Sequence, residues 1–419
     1  MSSAPVSNAS GRPHPRDRAT RQCLTAGFGP LTMDHGVEAE LIRATAQAFA
    51  GQASSDAVAS LVARGPDWDE AQHLAEFHGT IPLLEQCLSQ LPAAIVPASV
   101  QQALRDRCRD IAAQNLLLSS RLARISAALE QADIRVLAFK GPTLAILAYG
   151  DLSLRQFNDI DLLVPPADFN RALETLRGLG YEFAYRITPS QQIQYARAMG
   201  QVALRDAQGT LVELHTRLTD AAYHFPLEFD ALWSQRQSVV LHDHPVSTLA
   251  NEDLLLYLAA HGTKHAWPCL GWVVDLVQLI GRTPNVDWTH LLQRATAMRC
   301  RRILLLSLQL AMGTLGLELP AAVAPACMAD HLAMRLAAER SRQLLGAHDP
   351  ESGFGAARFH LQSRERLRDG ISYLGATIFS AHLSDWQILN LPTGWEFLYP
   401  IARPLRLVFK YGRRAVPRS

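Results

Sequence analysis

The sequence predicts an α+β protein in which a small mixed β-sheet core is flanked by N-terminal and C-terminal helical domains. Three observations support this. Apolar residues recur at three- and four-residue spacing from about residue 36 to 130, and the same texture returns beyond about 248. Between those stretches the chain breaks into short apolar runs bounded by Gly, Pro and Asp, as strands are. Within two of the runs polar and apolar residues alternate, so that each strand has a polar and an apolar face.

Taken in order, residues 1–32 combine small and polar residues with Arg12, Pro13, Pro15, Arg16, Arg18 and Arg21. Such a segment cannot build a core and is expected to be disordered, with Met33 as an alternative start. Residues 33–115 form an N-terminal helical region, patterned by Leu41, Ala44, Ala48 and Phe49 and broken near Pro92 and Pro97. The core spans 116–247. It opens with a helix carrying Leu118, Leu122, Ile125 and Leu129, followed by a strand over 134–139 and a short helix over 143–149, with Pro142 in its first turn. A second strand covers 160–164 and stops at Pro165-Pro166, and a helix over 168–179 stops at Gly180. Strands at 202–205 and 210–216 flank Asp206-Ala207-Gln208-Gly209, a hairpin turn by composition. A helical domain over 248–345 begins with Asn251-Glu252-Asp253 as cap and acidic first turn. Residues 346–419 form an extension with a basic end.

The composition narrows the function. With 419 residues, 48% hydrophobic, 19% charged and a formal charge of +1, the chain lacks the basic excess of a dedicated nucleic-acid binder. Six cysteines without CxxC spacing read as reduced thiols in a cytoplasmic protein with no zinc framework. The N-terminus has no apolar segment of the signal-peptide kind. The longest apolar run, 303–317, is interrupted by Ser307 and Gln309 and reads as a buried helix.

The chemistry gathers at Asp159-Ile160-Asp161-Leu162-Leu163-Val164. On a strand, Asp159 and Asp161 point to the same face, where two like charges about 4 Å apart repel by roughly 4 kcal/mol at an effective dielectric of about 20. A divalent cation is the economical partner, and for Mg²⁺ a phosphorylated ligand usually accompanies it. In Leu211-Val212-Glu213-Leu214-His215 the alternation places Glu213 and His215 together. If the two strands are neighbours, Glu213 completes a three-carboxylate cluster suited to one or two Mg²⁺ ions, and it is the natural acceptor for the proton of an attacking hydroxyl. Upstream, Lys140-Gly141-Pro142-Thr143 reads either as a turn that brings backbone amides and the Lys140 charge to a phosphate or as an ordinary strand-to-helix turn. The acids that follow favour the first reading.

In combination these motifs resemble the uncharacterised nucleotidyltransferases of the DNA polymerase β-like superfamily, in particular a bacterial group with a Lys-Gly turn in place of the commoner Gly-Ser. The resemblance runs from Val136 to about Ile280. It is carried by Leu137-Ala138-Phe139-Lys140-Gly141, Tyr149-Gly150-Asp151, Leu154-Arg155, the Asp159 and Glu213 strands, Leu258 to Trp267, and Trp272 to Asp275. It implies a minimal mixed sheet carrying the metal acids Asp159, Asp161 and Glu213, a helical domain closing over the nucleotide, Mg²⁺ or Mn²⁺ as cofactor, and an NTP, foremost ATP, as substrate. The acceptor stays open among small molecule, saccharide, peptide and protein, since the Lys-Gly turn also resembles that of nucleotidyltransferase-like toxins. A non-catalytic scaffold of the same shell is the competing reading.

Secondary signals have more than one reading each. Arg155 either reaches a phosphate or forms an ion pair with Asp151 or Asp159. His261, Lys264 and His265 share a helix face that either lines the nucleotide cleft or is simply solvated. Trp272 either stacks on a base or belongs to the core, and His215 either orients Glu213, touches substrate or is a satisfied buried histidine. The C-terminal run from Leu398 to Leu407, with Lys410, Arg413, Arg414 and Arg418 after it, is read as a packed element with a frayed basic end in preference to a contact with an anionic membrane or a partner protein.

Overall fold

The computed structural model describes residues 36–345 apart from 93, 186, 220–222 and 224, together with residues 354–379, 385, 388, 395 and 398–412. The segment 1–32, Met33, and Arg413, Arg414 and Arg418 lie outside the described residues. Four helices open the chain: Val37–Phe49, Ser55–Val62, Trp68–His78 and Ile81–Ser89. The Asp67 carboxylate accepts the Asp69 and Glu70 amides and so caps the third of them. Pro97 then precedes a 34-residue helix, Ala98–Gln131.

Seven strands form one mixed sheet: β1 Leu137–Ala138, β2 Asp159–Leu163, β3 Glu182–Phe183, β4 Gln201–Arg205, β5 Leu211–His215, β6 Gln237–Leu241 and β7 His244–Thr248. Their order is β3-β4-β5-β2-β1-β7-β6. The pairs β2–β5 and β1–β7 are parallel and the rest antiparallel. On one face Ile160, Leu162, Val164, Val212 and Leu214 pack against Leu118, Leu122, Ile125 and Leu129 of the long helix, as the alternation requires. On the other face Leu137, Phe139 and Leu163 join a larger core built with the helices Asn251–Lys264, Leu270–Arg282 and Arg301–Leu315. The last of these is the expected buried helix, and no described helix is long and apolar enough to cross a membrane. The α+β class is therefore as the sequence predicts.

Several local expectations differ. The strand over 134–139 contracts to two residues, because β1 meets β2 and β7 only at Leu137 and Ala138 before Gly141, at φ +53°, turns the chain. The β6–β7 hairpin was not read from the sequence: its turn residues His242 and Asp243 adopt φ +49° and +62° without the glycine that usually signals such a turn. Asn251 is not the cap. Its side-chain oxygen accepts from Gln237 Nε2 at 2.7 Å, and Ala250 occupies the N-cap position. The expected turn at Asp206 is present, with the carboxylate accepting the Gln208 and Thr210 amides at 3.0 and 2.8 Å. The cysteines among the described residues are free thiols.

His78 ties the N-terminal helices to the later ones, its Nδ1 accepting the Leu270 amide at 3.3 Å in a fully buried setting. Burial lowers its pKa from 6.5 to about 4. The unfolded chain therefore binds a proton that the folded chain excludes: the contribution is complete above pH 6.5 and is lost as pH falls towards 4, by about 3 kcal/mol in all. Urea unfolding followed across this window should show that loss, and His78→Asn, which keeps an acceptor without titrating, should reduce the slope.

Candidate active site

The parallel pairing of β2 and β5 sets Asp161 opposite Glu213 and Leu163 opposite His215. Asp161, Glu213 and His215 are 2%, 1% and 3% exposed, and ligand-capable atoms of all three lie within 4.8 Å of one another. His215 Nε2 stands 3.2 Å from Asp161 Oδ1 and 3.4 Å from Glu213 Oε2. Lys140 Nζ approaches Asp161 Oδ2 at 3.6 Å, and Phe139 meets the imidazole edge-on with ring centres 5.3 Å apart. Burial disfavours a charged imidazole, but the hydrogen bonds and charges of Asp161 and Glu213 outweigh it, so His215 titrates above its ordinary range. Its Nδ1 is buried without a hydrogen-bond partner.

Among the described residues this is the group that could hold a metal ion, and it contains His215 where Asp159 was expected. Asp159 lies one same-face position before Asp161, opposite Leu211, and is half-buried. The signal for His215 was present in the sequence: it has the same two-residue spacing from Glu213 that singled out the two aspartates. The donor set fits a divalent cation, because the two opposed carboxylates supply the hard oxygens that Mg²⁺ or Mn²⁺ takes, and His215 adds a softer nitrogen.

Gly141 adopts φ +53°, and a methyl group there would stand 3.1 Å from the Asp159 carbonyl, so the turn and the acid strand touch through glycine. The Thr143 hydroxyl is buried and donates to the Lys140 carbonyl at 2.9 Å, bracing the turn from within. Arg155 takes neither Asp151 nor Asp159 in a hydrogen-bonded pair. It forms a two-point, largely buried ion pair with Asp275, Nε to Oδ1 at 2.8 Å and Nη2 to Oδ2 at 3.0 Å, and the Tyr149 hydroxyl donates to the same carboxylate at 2.8 Å. Asp151 instead accepts from the Ser153 amide and hydroxyl. His261, Lys264 and His265 are half-buried, and Trp272 lies against both histidine rings. At the C-terminal end, Arg403 and Arg406 both bind Asp385 at 2.6 Å.

Opposed acids on parallel strands of a small mixed sheet, beside a glycine turn and a lysine, are the parts of a nucleotidyltransferase-like core. The profile of a family described as "Uncharacterised nucleotidyltransferase" matches residues 64–316, more than half of the chain. The chain belongs to that family. Among solved structures it is similar to the crystal structure of an antigenic nucleotidyltransferase-like protein from Paracoccidioides brasiliensis, with 16% identity, a TM-score of 0.30, and coverage of 43% of this chain and 85% of that one. No curated protein matches.

Two stability outcomes follow from this geometry. Asp275→Ala strands the buried Arg155 charge and should cost about 3–5 kcal/mol in urea unfolding, whereas Arg155→Leu combined with Asp275→Leu should cost clearly less. Gly141→Ala forces a left-handed alanine against the Asp159 carbonyl and should cost at least about 1–2 kcal/mol by the same measurement.

Proposed function

We propose that the protein is a Mg²⁺- or Mn²⁺-dependent nucleotidyltransferase that moves a nucleoside monophosphate from an NTP, ATP foremost, to a hydroxyl or phosphate acceptor. The observation that carries this reading is the buried, directly opposed pair Asp161–Glu213, since two facing carboxylates are retained inside a sheet at high cost unless they serve a cation. Asp161 and Glu213 would hold the ion, with Asp159 as the third acid at the adjoining same-face position. When bound, the ion neutralises the triphosphate and the departing pyrophosphate.

The chain's own groups do the rest. Gly141 lets the backbone approach a phosphate closely, and Lys140, beside Asp161 of the acid cluster, adds a positive charge there. Glu213 accepts the proton of the attacking acceptor oxygen as that oxygen bonds to the α-phosphorus and the bond to the β-phosphate breaks. His215, bridging both acids, orients Glu213. Thr143 and Arg155 act by positioning, the first on the turn and the second on the approach to β2. The acceptor is a small molecule, saccharide, peptide or protein bearing the attacking group.

A second reading has its own observation. Lys140 and His215 already balance the acids, as they would in a non-catalytic scaffold that keeps the shell. Calorimetric titration with each NTP in Mg²⁺ or Mn²⁺ separates the two. The transferase reading expects metal-dependent binding of at least one NTP, lost by a factor of about a hundred or more in Asp161→Ala combined with Glu213→Ala, in line with losing a metal's phosphate contacts. Wild-type protein that binds no NTP under either metal favours the scaffold.

A further inference from the structure

The helix Asn251–Lys264 passes the acid cluster with Tyr257, whose ring centre lies 5.1 Å from that of Phe139 and 5.4 Å from Lys140 Nζ. One turn further along is His261, 5.6 Å from Tyr257 ring to ring, and one turn beyond that is His265, 4.9 Å from His261. Trp272, from the next helix, closes on both imidazoles at 4.5 and 5.7 Å. His261, His265 and Trp272 are each half-buried, so none of the three is sealed in the core. Trp267, five residues earlier than Trp272, is by contrast fully buried and serves as core.

The turn that brings these rings together is strained. Ala266 and Trp267 adopt φ +53° and +51°, two consecutive left-handed residues of which neither is glycine. They are held there by Trp267 Nε1 donating to Thr263 Oγ1 at 3.3 Å and by the Trp267 amide donating to the Gly262 carbonyl at 2.8 Å. A methyl group on Gly262 would stand 2.5 Å from the Trp267 ring, so only glycine admits this packing. Asp275, three residues beyond Trp272, then clamps the same helix to Arg155. A ring row is thus fixed from two sides relative to the acid strand.

We propose that the His261–His265–Trp272 row is the platform that receives the base of the triphosphate substrate, stacked on one ring and met edge-on by the others, which stand at 49–76° to one another, and that purines are preferred over pyrimidines because the larger ring system reaches more than one of these rings. The proposal rests on the nucleotidyltransferase reading, since it places the base on the helix whose Tyr257 neighbours the phosphate-side lysine. Polar-edged rings suit this role: their faces stack on any base, while the imidazole nitrogens can bond a base edge.

The test is calorimetric titration of the full chain, in Mg²⁺ buffer, with non-hydrolysable ATP, GTP, CTP and UTP analogues and with inorganic tripolyphosphate as a base-free probe. Wild-type protein should bind the purine analogues more tightly than the pyrimidine ones. Trp272→Leu should weaken purine binding about tenfold, the loss of roughly one base–ring stack, with tripolyphosphate unchanged. Trp272→Phe should retain most of the affinity. If Trp272→Leu loses cooperative unfolding, His265→Ala provides the same comparison. Equal affinity for all four bases, a pyrimidine preference, or purine affinity unchanged in these variants overturns the platform, as does a parallel loss of tripolyphosphate binding. Failure of wild-type protein to bind both the triphosphates and tripolyphosphate instead overturns the nucleotidyltransferase reading and the platform with it.

Discussion

The confrontation of Asp161 and Glu213 across two parallel strands is the constraint on which the rest of the structure depends. Each buried carboxylate costs several kcal/mol in lost hydration, and the two repel each other besides. The fold supplies partners at close range, the Lys140 ammonium from the glycine turn and the His215 imidazole from the same strand as Glu213, and it supplies rigidity from behind. The reverse face of β2 and β5 is a closely packed apolar layer against the long helix, where each fully buried Leu or Ile contributes about 1.5–3 kcal/mol. That layer fixes the register, and a slip of one residue would turn every acid into the apolar side.

The same strand is linked to the helical part of the chain by polar contacts that tolerate little displacement. Arg155, just before β2, and Tyr149 converge on Asp275, while His78 receives the amide of Leu270 at the start of the same helix. The helix Leu270–Arg282 is therefore anchored both to the N-terminal helices and to the approach to the acid strand. Buried charge pairs of this kind contribute less to net stability than to geometry, because any other arrangement leaves a charge without its partner. Trp272 and the two histidines inherit their placement from that anchoring.

Much of this was legible in the sequence because it is local or periodic. Alternation along 159–164 and 211–215 set the faces of β2 and β5, and the 3.6-residue period marked the helices on either side. The Asp206 turn could be read because its carboxylate bonds its own neighbouring amides. What escaped had no such local signature. The turn at His242-Asp243 uses left-handed residues without glycine, and the Asn251 side chain is bound by Gln237 of β6 while Ala250 holds the N-cap position. Arg155 could be recognised as a cation that needs an anion, but its partner lies 120 residues away and only folding brings the two together.

By itself, the sequence determined that acids stand on polar strand faces, that a glycine turn with a lysine precedes them, and that helices flank the sheet, because side-chain direction follows from backbone period alone. Tertiary structure decided which strands are neighbours, and so that Asp161 meets Glu213 and His215 joins them while Asp159 stands one step outside the group. It also decided that Arg155 belongs to Asp275. Pairing between distant segments is governed by packing over the whole sheet and helix layer, and no single stretch of chain contains that information.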